Sequence, residues 1–524
     1  MRSLLILVAV FLAVPASVYA ADDLSMSVTN TLNLDMIEDQ LGDADEFSRY
    51  GFVANKLNTI GRYGDLSFWL RLDTHGFAGL NWEEDSESPY GNEVYPRRAQ
   101  LRYKVSGWKV TGGDFYKEVG RGIALSLRKG DEVSADTSLF GADVTYSSGN
   151  QGFSVFGGVT NQASLDPVER YATNWKPDQV AGANYELRSL GSFKLGAHGI
   201  YFKRSASDQT SGENYESMTG GLTVEAIEVT EWLSFYTEFN VQQLENLSSV
   251  GFGGVDDLGG QNYAGYFTAD LTFGDTLILA EGLLLDSWEL YGSQNTGSSY
   301  DAASYDSFDY SRPPTMQRLQ DEVADKSNVM GGRLRVEQYI EDYDLTLYAN
   351  ALYRLNKEEL AEQLTEIHGF LGFELNYDDG SSRIKAESGY RTEDYVSEEI
   401  AAVQGGKNIK NMIHGYVDWV HALGGGYSLQ VNSDTEYRDQ TSKQYFKGQT
   451  AVGIAKSGLG DVAAEIGYDD GKQYYAGLVT WKISGGWHLK AVAGSRRGGL
   501  KCINGMCRIY PEYRGASLEL VSRF

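Results

Sequence analysis

The sequence predicts an all-β chain that closes into a transmembrane antiparallel barrel of about 24 strands, within a range of about 22 to 26. Three observations carry this expectation. Apolar and polar residues alternate with period two over most of the chain, the spacing that sorts side chains onto the two faces of a strand. Every second connection is a tight turn, whereas those between are mostly long. The composition also fits, with 61 glycines and 35 tyrosines against 8 prolines and 2 cysteines, because glycine suits hairpin turns and tyrosine suits a boundary between water and an apolar phase. Two cysteines exclude a disulfide scaffold, and 42% hydrophobic residues exclude an acidic disordered chain. A formal charge of −27 disfavours a nucleic-acid partner, since phosphate binding needs a basic stripe.

Met1-Arg2, the apolar run Leu4 to Val14 and the small residues up to Ala20 read as a secretory signal peptide over residues 1–20, cleaved after Ala20. The apolar run is too short to anchor as a spanning helix, and no later stretch of 18 apolar residues supplies one. Residues 21–524 are then expected to form a single barrel domain.

Strands are expected near 24–36, 46–58, 62–75, 93–105, 107–128, 139–149, 151–161, 178–189, 191–204, 215–229, 231–243, 261–274, 276–289, 331–341, 343–355, 366–378, 381–392, 410–423, 425–438, 443–456, 459–469, 472–484, 486–496 and 509–524. The alternation is sharpest at three places. Leu233, Phe235, Phe239 and Val241 oppose Tyr236, Glu238, Asn240 and Gln242; Tyr263, Phe267, Leu271 and Phe273 oppose Tyr266, Thr268 and Asp270; and Leu429, Val431 and Tyr437 oppose Asp434, Glu436 and Arg438. The turns include Ser106-Gly107, Gly149-Asn150, Gly274-Asp275, Asp378-Asp-Gly380, Gly424-Gly-Gly426 and Ser457-Gly458. Short periplasmic turns facing long extracellular loops are the asymmetry of bacterial transmembrane barrels, and a soluble sandwich has no reason to keep that parity. The parity holds only if 107–128 counts once, as a long or bent strand, which places both termini in the periplasm.

The chain ends Arg514-Gly-Ala-Ser-Leu-Glu-Leu-Val-Ser-Arg-Phe524, with Leu518, Leu520 and the terminal Phe524 on one face. This resembles the C-terminal signature of Gram-negative outer-membrane β-barrel proteins, whose final aromatic is read as an assembly signal; Ser522 departs from the signature. The resemblance implies a porin-like fold in the bacterial outer membrane, with outer-membrane lipid, lipopolysaccharide and the barrel-assembly machinery as partners. Gly113-Asp-Phe-Tyr-Lys-Glu-Val-Gly-Arg-Gly-Ile-Ala-Leu-Ser-Leu127 is similar to a motif of uncharacterised bacterial outer-membrane barrels that share its glycine-arginine-glycine step. That likeness implies no substrate.

Charges on a spanning strand must face water, because Arg or Lys in hydrocarbon costs about 2 to 4 kcal/mol at the bilayer midplane. The candidate pore-lining residues are therefore Arg333, Arg335, Glu337, Arg383, Lys385, Glu387, Arg391, Asp434, Glu436 and Arg438. They make either a selective aqueous pore or a lumen of compensating ion pairs. The longest extracellular loop, 290–330, alternates Tyr with Asp and carries Pro313-Pro314. It is expected to fold into the mouth as a constriction in preference to binding a sugar or metal. Cys502 and Cys507 flank an Asn-Gly turn and are a candidate disulfide. The six histidines are scattered, and no nucleophile elbow, phosphate loop, zinc motif or haem-attachment motif occurs. No enzyme activity, cofactor or metal is expected.

The leading expectation is a porin-like channel for passive movement of ions or small polar solutes. A second stays open: a barrel sheath around a multihaem cytochrome in an electron-transfer conduit, although the N-terminal C-x-x-C of some such barrels is absent. A plugged receptor fits poorly, because strands begin near Leu24 and leave no room for a plug domain.

Overall fold

The computed structural model describes residues 24–39, 48–78, 93–130, 135–161, 177–203, 216–245, 261–288, 311, 328–356, 364–395, 409–440, 443–503, 506–510 and 513–524. Within them 24 strands form one sheet. In chain order they are β1 (Leu24–Asp39), β2 (Ser48–Tyr63), β3 (Leu66–Ala78), β4 (Glu93–Val105), β5 (Trp108–Phe115), β6 (Leu139–Ser147), β7 (Gln151–Thr160) and β8 (Gln179–Leu190). Next come β9 (Phe193–Lys203), β10 (Glu216–Thr230), β11 (Leu233–Glu245), β12 (Gln261–Phe273), β13 (Thr276–Asp286), β14 (Val329–Ile340), β15 (Leu345–Asn356) and β16 (Leu364–Tyr377). The last eight are β17 (Ser382–Tyr395), β18 (Ile409–Gly424), β19 (Tyr427–Gln440), β20 (Gln444–Lys456), β21 (Gly460–Asp469), β22 (Lys472–Ser484), β23 (Trp487–Arg496) and β24 (Tyr513–Arg523). Each pairs antiparallel with its chain neighbours, and β24 closes on β1 from Ile37 opposite Gly515 to Thr29 opposite Arg523.

The turn parity follows from backbone geometry. At the end that carries Leu24 and Phe524 no connection exceeds four residues. Between β4 and β5, for example, Gly107 adopts φ +85°, and a Cβ there would sit 2.7 Å from the Ser147 carbonyl oxygen, so the turn demands glycine. Connections at the opposite end are longer except after β19 and β21. Those two meet where the Lys443 ammonium pairs with the Asp470 carboxylate, and that hydrogen bond holds Lys443 above the usual lysine range.

Two faces result. The outer face carries exposed apolar residues such as Leu222, Phe267, Leu334, Leu371 and Ile454, far more than a water-soluble surface tolerates in contiguous patches. Aromatic pairs gather at its edges. Trp108 packs with Tyr146 and Phe153, Trp232 with Phe273, and Trp487 with Phe524 at the turn end; Phe239 packs with Tyr263 and Tyr437 with Phe446 at the loop end. These are interfacial girdles bounding an apolar band. Leu518, Leu520 and Phe524 belong to this face, and the Phe524 backbone bonds to Val28 across the seam. Ser522, the departure from the terminal signature, places its hydroxyl 3.5 Å from the Asn30 carbonyl oxygen. Phe267 lies halfway along β12 and is 44% exposed on the outer face. Phe267→Lys is expected to cost about 2 to 4 kcal/mol, read as a lower urea midpoint for the barrel folded in phospholipid vesicles. An unchanged midpoint would remove this face from hydrocarbon.

Two boundaries differ from the sequence expectation. The segment expected as one strand over 107–128 leaves the wall after Phe115. The region expected as strand from residue 509 belongs first to a separate outer hairpin, Gly499–Ile503 with Met506–Tyr510, and the wall resumes at Tyr513. The hairpin register sets Cys502 opposite Cys507, but their side chains lie outside the described residues. So do the signal-peptide region 1–20 and nearly all of loop 290–330.

Candidate functional site

After β5 the chain turns across the inner wall. Glu118–Val119 pairs with Leu125–Ser126 in a small hairpin whose tip is Gly120-Arg121-Gly122. The hairpin is closed by Leu127 N–H donating to the Lys117 carbonyl at 2.7 Å. Its contacts reach β6 at one side, where Lys117 pairs with Asp143 at 2.9 Å, and β11 at the other. Only the concave face of the closed sheet can be bridged in this way, so the segment lies inside the barrel.

Its seat is apolar. Val119, Leu125 and Leu127 pack with Phe156, Val180, Ile200, Phe202 and Leu244, whereas Ile123 packs with Tyr236, Ala264, Leu283, Leu285 and Leu352. These wall residues occupy inward positions that would otherwise face water, and the segment covers them. Burying each Leu or Ile contributes about 1.5 to 3 kcal/mol. At the far end Ile123 is fully buried, and its carbonyl accepts from the Trp288 indole at 3.2 Å and the Ser311 hydroxyl at 2.7 Å. Ser311 is the described residue of loop 290–330 beyond its ends, and it meets this segment rather than a wall strand.

The tip is held by one carboxylate. Glu238, 1% exposed, accepts from the Arg121 backbone N–H at 2.7 Å, the Tyr236 hydroxyl at 2.7 Å and the Asn240 amide at 2.9 Å. A Cβ on Gly120, whose φ is +65°, would lie 2.1 Å from the same carboxylate. The glycine-arginine-glycine step therefore exists because the tip must bend left-handed and sit directly on Glu238. The Asn240 amide oxygen in turn accepts a hydrogen bond from His198 Nε2 at 2.6 Å. The Arg121 guanidinium lies over the Tyr236 ring, 4.6 Å from its centroid. Between the tip and strands β8 to β11 is a cavity of about 320 Å³.

The ten candidate lining residues all fall on the inner face, in step with outward Leu334, Tyr390 and Tyr437. Most are paired. Arg333 bonds Glu281, Arg335 bonds Glu337, Arg383 bonds Asp418, Arg391 bonds Glu366 and Glu393, and Arg438 bonds Glu436 at 2.7 Å. Glu387 accepts from the Tyr348 hydroxyl at 3.3 Å, and Lys385 lies 5.7 Å from the same ring. Asp434 stands opposite Tyr416. The structure adds a buried knot near the loop end that sequence reasoning missed. Glu366, fully buried, faces Arg354 at 3.2 Å and Arg391 at 3.3 Å, and beside it His368 and His414 bring their Nε2 atoms to 2.8 Å. The two histidines are 46 residues apart and the pairing is made only by the strand register, so no sequence signal marks it. Among the described residues, no group of three or more His, Cys, Asp or Glu is placed to hold a metal.

No protein-family model matches the chain, and no curated protein does. Among solved structures it resembles a chain of the E. coli P pilus tip assembly intermediate PapC–PapD–PapK–PapG, at 8% identity and TM-score 0.51, over 97% of this chain and 62% of that one. It also aligns with the siderophore receptor PirA from Pseudomonas aeruginosa, at 9% identity and TM-score 0.47, over 96% of this chain and 80% of that one. A third alignment is to OccAB3 from Acinetobacter baumannii, at 11% identity and TM-score 0.37, over 71% and 94%. At such identities the likeness is one of fold, and the chain has the closed-barrel fold of outer-membrane β-barrel proteins.

Proposed function

We propose that the chain is a porin-like channel of the bacterial outer membrane, through which ions or small polar solutes diffuse passively. The observation that carries this is the inner wall. Outside the apolar seat it is lined by ion pairs and hydrogen-bonding groups, a surface made for water. Twenty-four strands spaced about 4.8 Å apart and tilted about 40° close on a backbone cylinder on the order of 45 Å across. Among the described residues, the inward side chains and the segment between β5 and β6 do not fill that width. In this role Arg333, Arg335, Glu337, Arg383, Lys385 and Glu387 line the aqueous path, Arg391, Asp434, Glu436 and Arg438 are buried in the inner wall behind it, and the tip at Gly120–Gly122 narrows it from one side. Leu518, Leu520 and Phe524 would present the terminal strand to the assembly machinery, and the girdles would sit among lipid and lipopolysaccharide.

The width also favours one second reading, a sheath around a separate folded protein such as a multihaem cytochrome. Planar-bilayer recording of the purified barrel separates the two. Stable ion-permeable steps are expected for the channel; an insulating barrel overturns it and leaves the sheath.

A further inference from the structure

All the charged side chains that line the cavity beneath the inward tip, except Arg121, have an ion-pair partner among the described residues. Of the charged groups around it, Lys194 is neutralised by Glu225 at 3.1 Å and Glu186 at 3.7 Å. Glu186 also receives Arg188 at 2.7 Å, and Glu118 pairs with Arg128. Arg121 is different. Its backbone N–H is spent on Glu238, but its guanidinium, exposed on the lumen side, rests on the Tyr236 ring and has no carboxylate partner among the described residues. The aromatic face orients the guanidinium plane while leaving its N–H edge free. The rest of the lining supplies neutral hydrogen-bonding groups, Asn184, His198 and Thr223.

One oriented guanidinium without an ion-pair partner, beside neutral donors and acceptors, recognises the planar carboxylate of a molecule that carries hydroxyl groups. The cavity volume is about 320 Å³, at the small end of ligand pockets, which suits a compact organic acid. We propose that the cavity is a binding site for small hydroxycarboxylates, in which Arg121 takes the carboxylate through a forked pair of hydrogen bonds and Asn184, His198 and Thr223 receive the hydroxyls. On the channel reading above, the site would be a pausing point for such acids on the way through the lumen.

The test is calorimetric titration of the purified full-length barrel in detergent with sodium gluconate, and with glucitol as its uncharged counterpart. The wild type is expected to bind gluconate saturably and glucitol not at all. Arg121→Gln is expected to weaken gluconate binding about tenfold or more, since a charge-assisted bidentate contact is lost, and Arg121→Lys less, since a point charge remains. Because Arg121 projects from the hairpin tip, both variants should keep the compact, heat-modifiable barrel in gel electrophoresis. Equal binding of gluconate by the wild type and Arg121→Gln, equal binding of glucitol, or no saturable binding overturns the site. The two proposals fail separately: an insulating barrel that still binds gluconate through Arg121 removes only the channel, and a conducting barrel that does not bind it removes only the site.

Discussion

Glu238→Ala is expected to release the tip Glu118–Gly122 from the inner wall while leaving the barrel closed. The carboxylate gathers three donors at once, the Arg121 backbone N–H and the side chains of Tyr236 and Asn240. Hydrogen bonds to a charged group contribute about 1.5 to 3 kcal/mol each, and donors left behind in a buried place add their own penalty. Part of that is recovered because Tyr236 and Asn240 can turn to other partners, which leaves a local loss of about 3 kcal/mol. A loss of that size raises the detached population about a hundredfold. Amide hydrogen exchange reads it directly: peptides covering 116–122 should lose protection, whereas the wall strands β6 and β7 should not change. Glu238→Gln keeps an acceptor and should fall between. The Ile123–Leu127 arm is anchored independently by Trp288, Ser311 and the apolar seat, so it should stay protected. Unchanged exchange at the tip would mean that apolar packing alone holds the hairpin and that Glu238 is incidental.

The same hairpin shows what the sequence could and could not disclose. The 24 wall strands were legible because each has one face in hydrocarbon and one in water, and that contrast writes itself into the sequence as period two. Turns such as Ser106-Gly107 were legible because left-handed backbone selects glycine. Residues 117–127 were not, because a hairpin lying on an apolar inner seat carries the same Val, Ile and Leu content as a strand lying in lipid. The signal that could have separated them was present twice. Gly120 and Gly122 both take positive φ, which a wall strand rarely accepts. The facing strands also carry apolar residues inward as well as outward, as in Gly199-Ile-Tyr-Phe202 of β9, where Ile200 and Phe202 are buried under the segment. The ten lining charges could be assigned to a face, but not to partners, because Arg333 finds Glu281 and Arg383 finds Asp418 through strand register alone.

Register likewise creates the knot around Glu366, and there the largest loss of stability is expected. Glu366→Ala removes the carboxylate that two guanidinium groups share, while Arg354 and Arg391 remain 5% and 2% exposed with Glu393 as the nearest remaining counter-charge. Breaking a buried ion pair from one side costs about 3 to 5 kcal/mol, chiefly because the charge left behind has neither water nor a partner. The corresponding apolar exchange is milder, so the double variant Glu366→Leu with Arg391→Leu should lose less than Glu366→Ala alone. Urea unfolding in phospholipid vesicles, followed by tryptophan fluorescence, measures both. The ordering matters more than either value. A knot that merely filled space would make the double variant the worse of the two, whereas a knot that exists to keep buried guanidinium groups neutralised makes the single variant worse. If the single variant loses less than about 1 kcal/mol, the value typical of an exposed pair, then water reaches Arg354 and Arg391, and this part of the wall belongs to the aqueous path and not to a sealed rim.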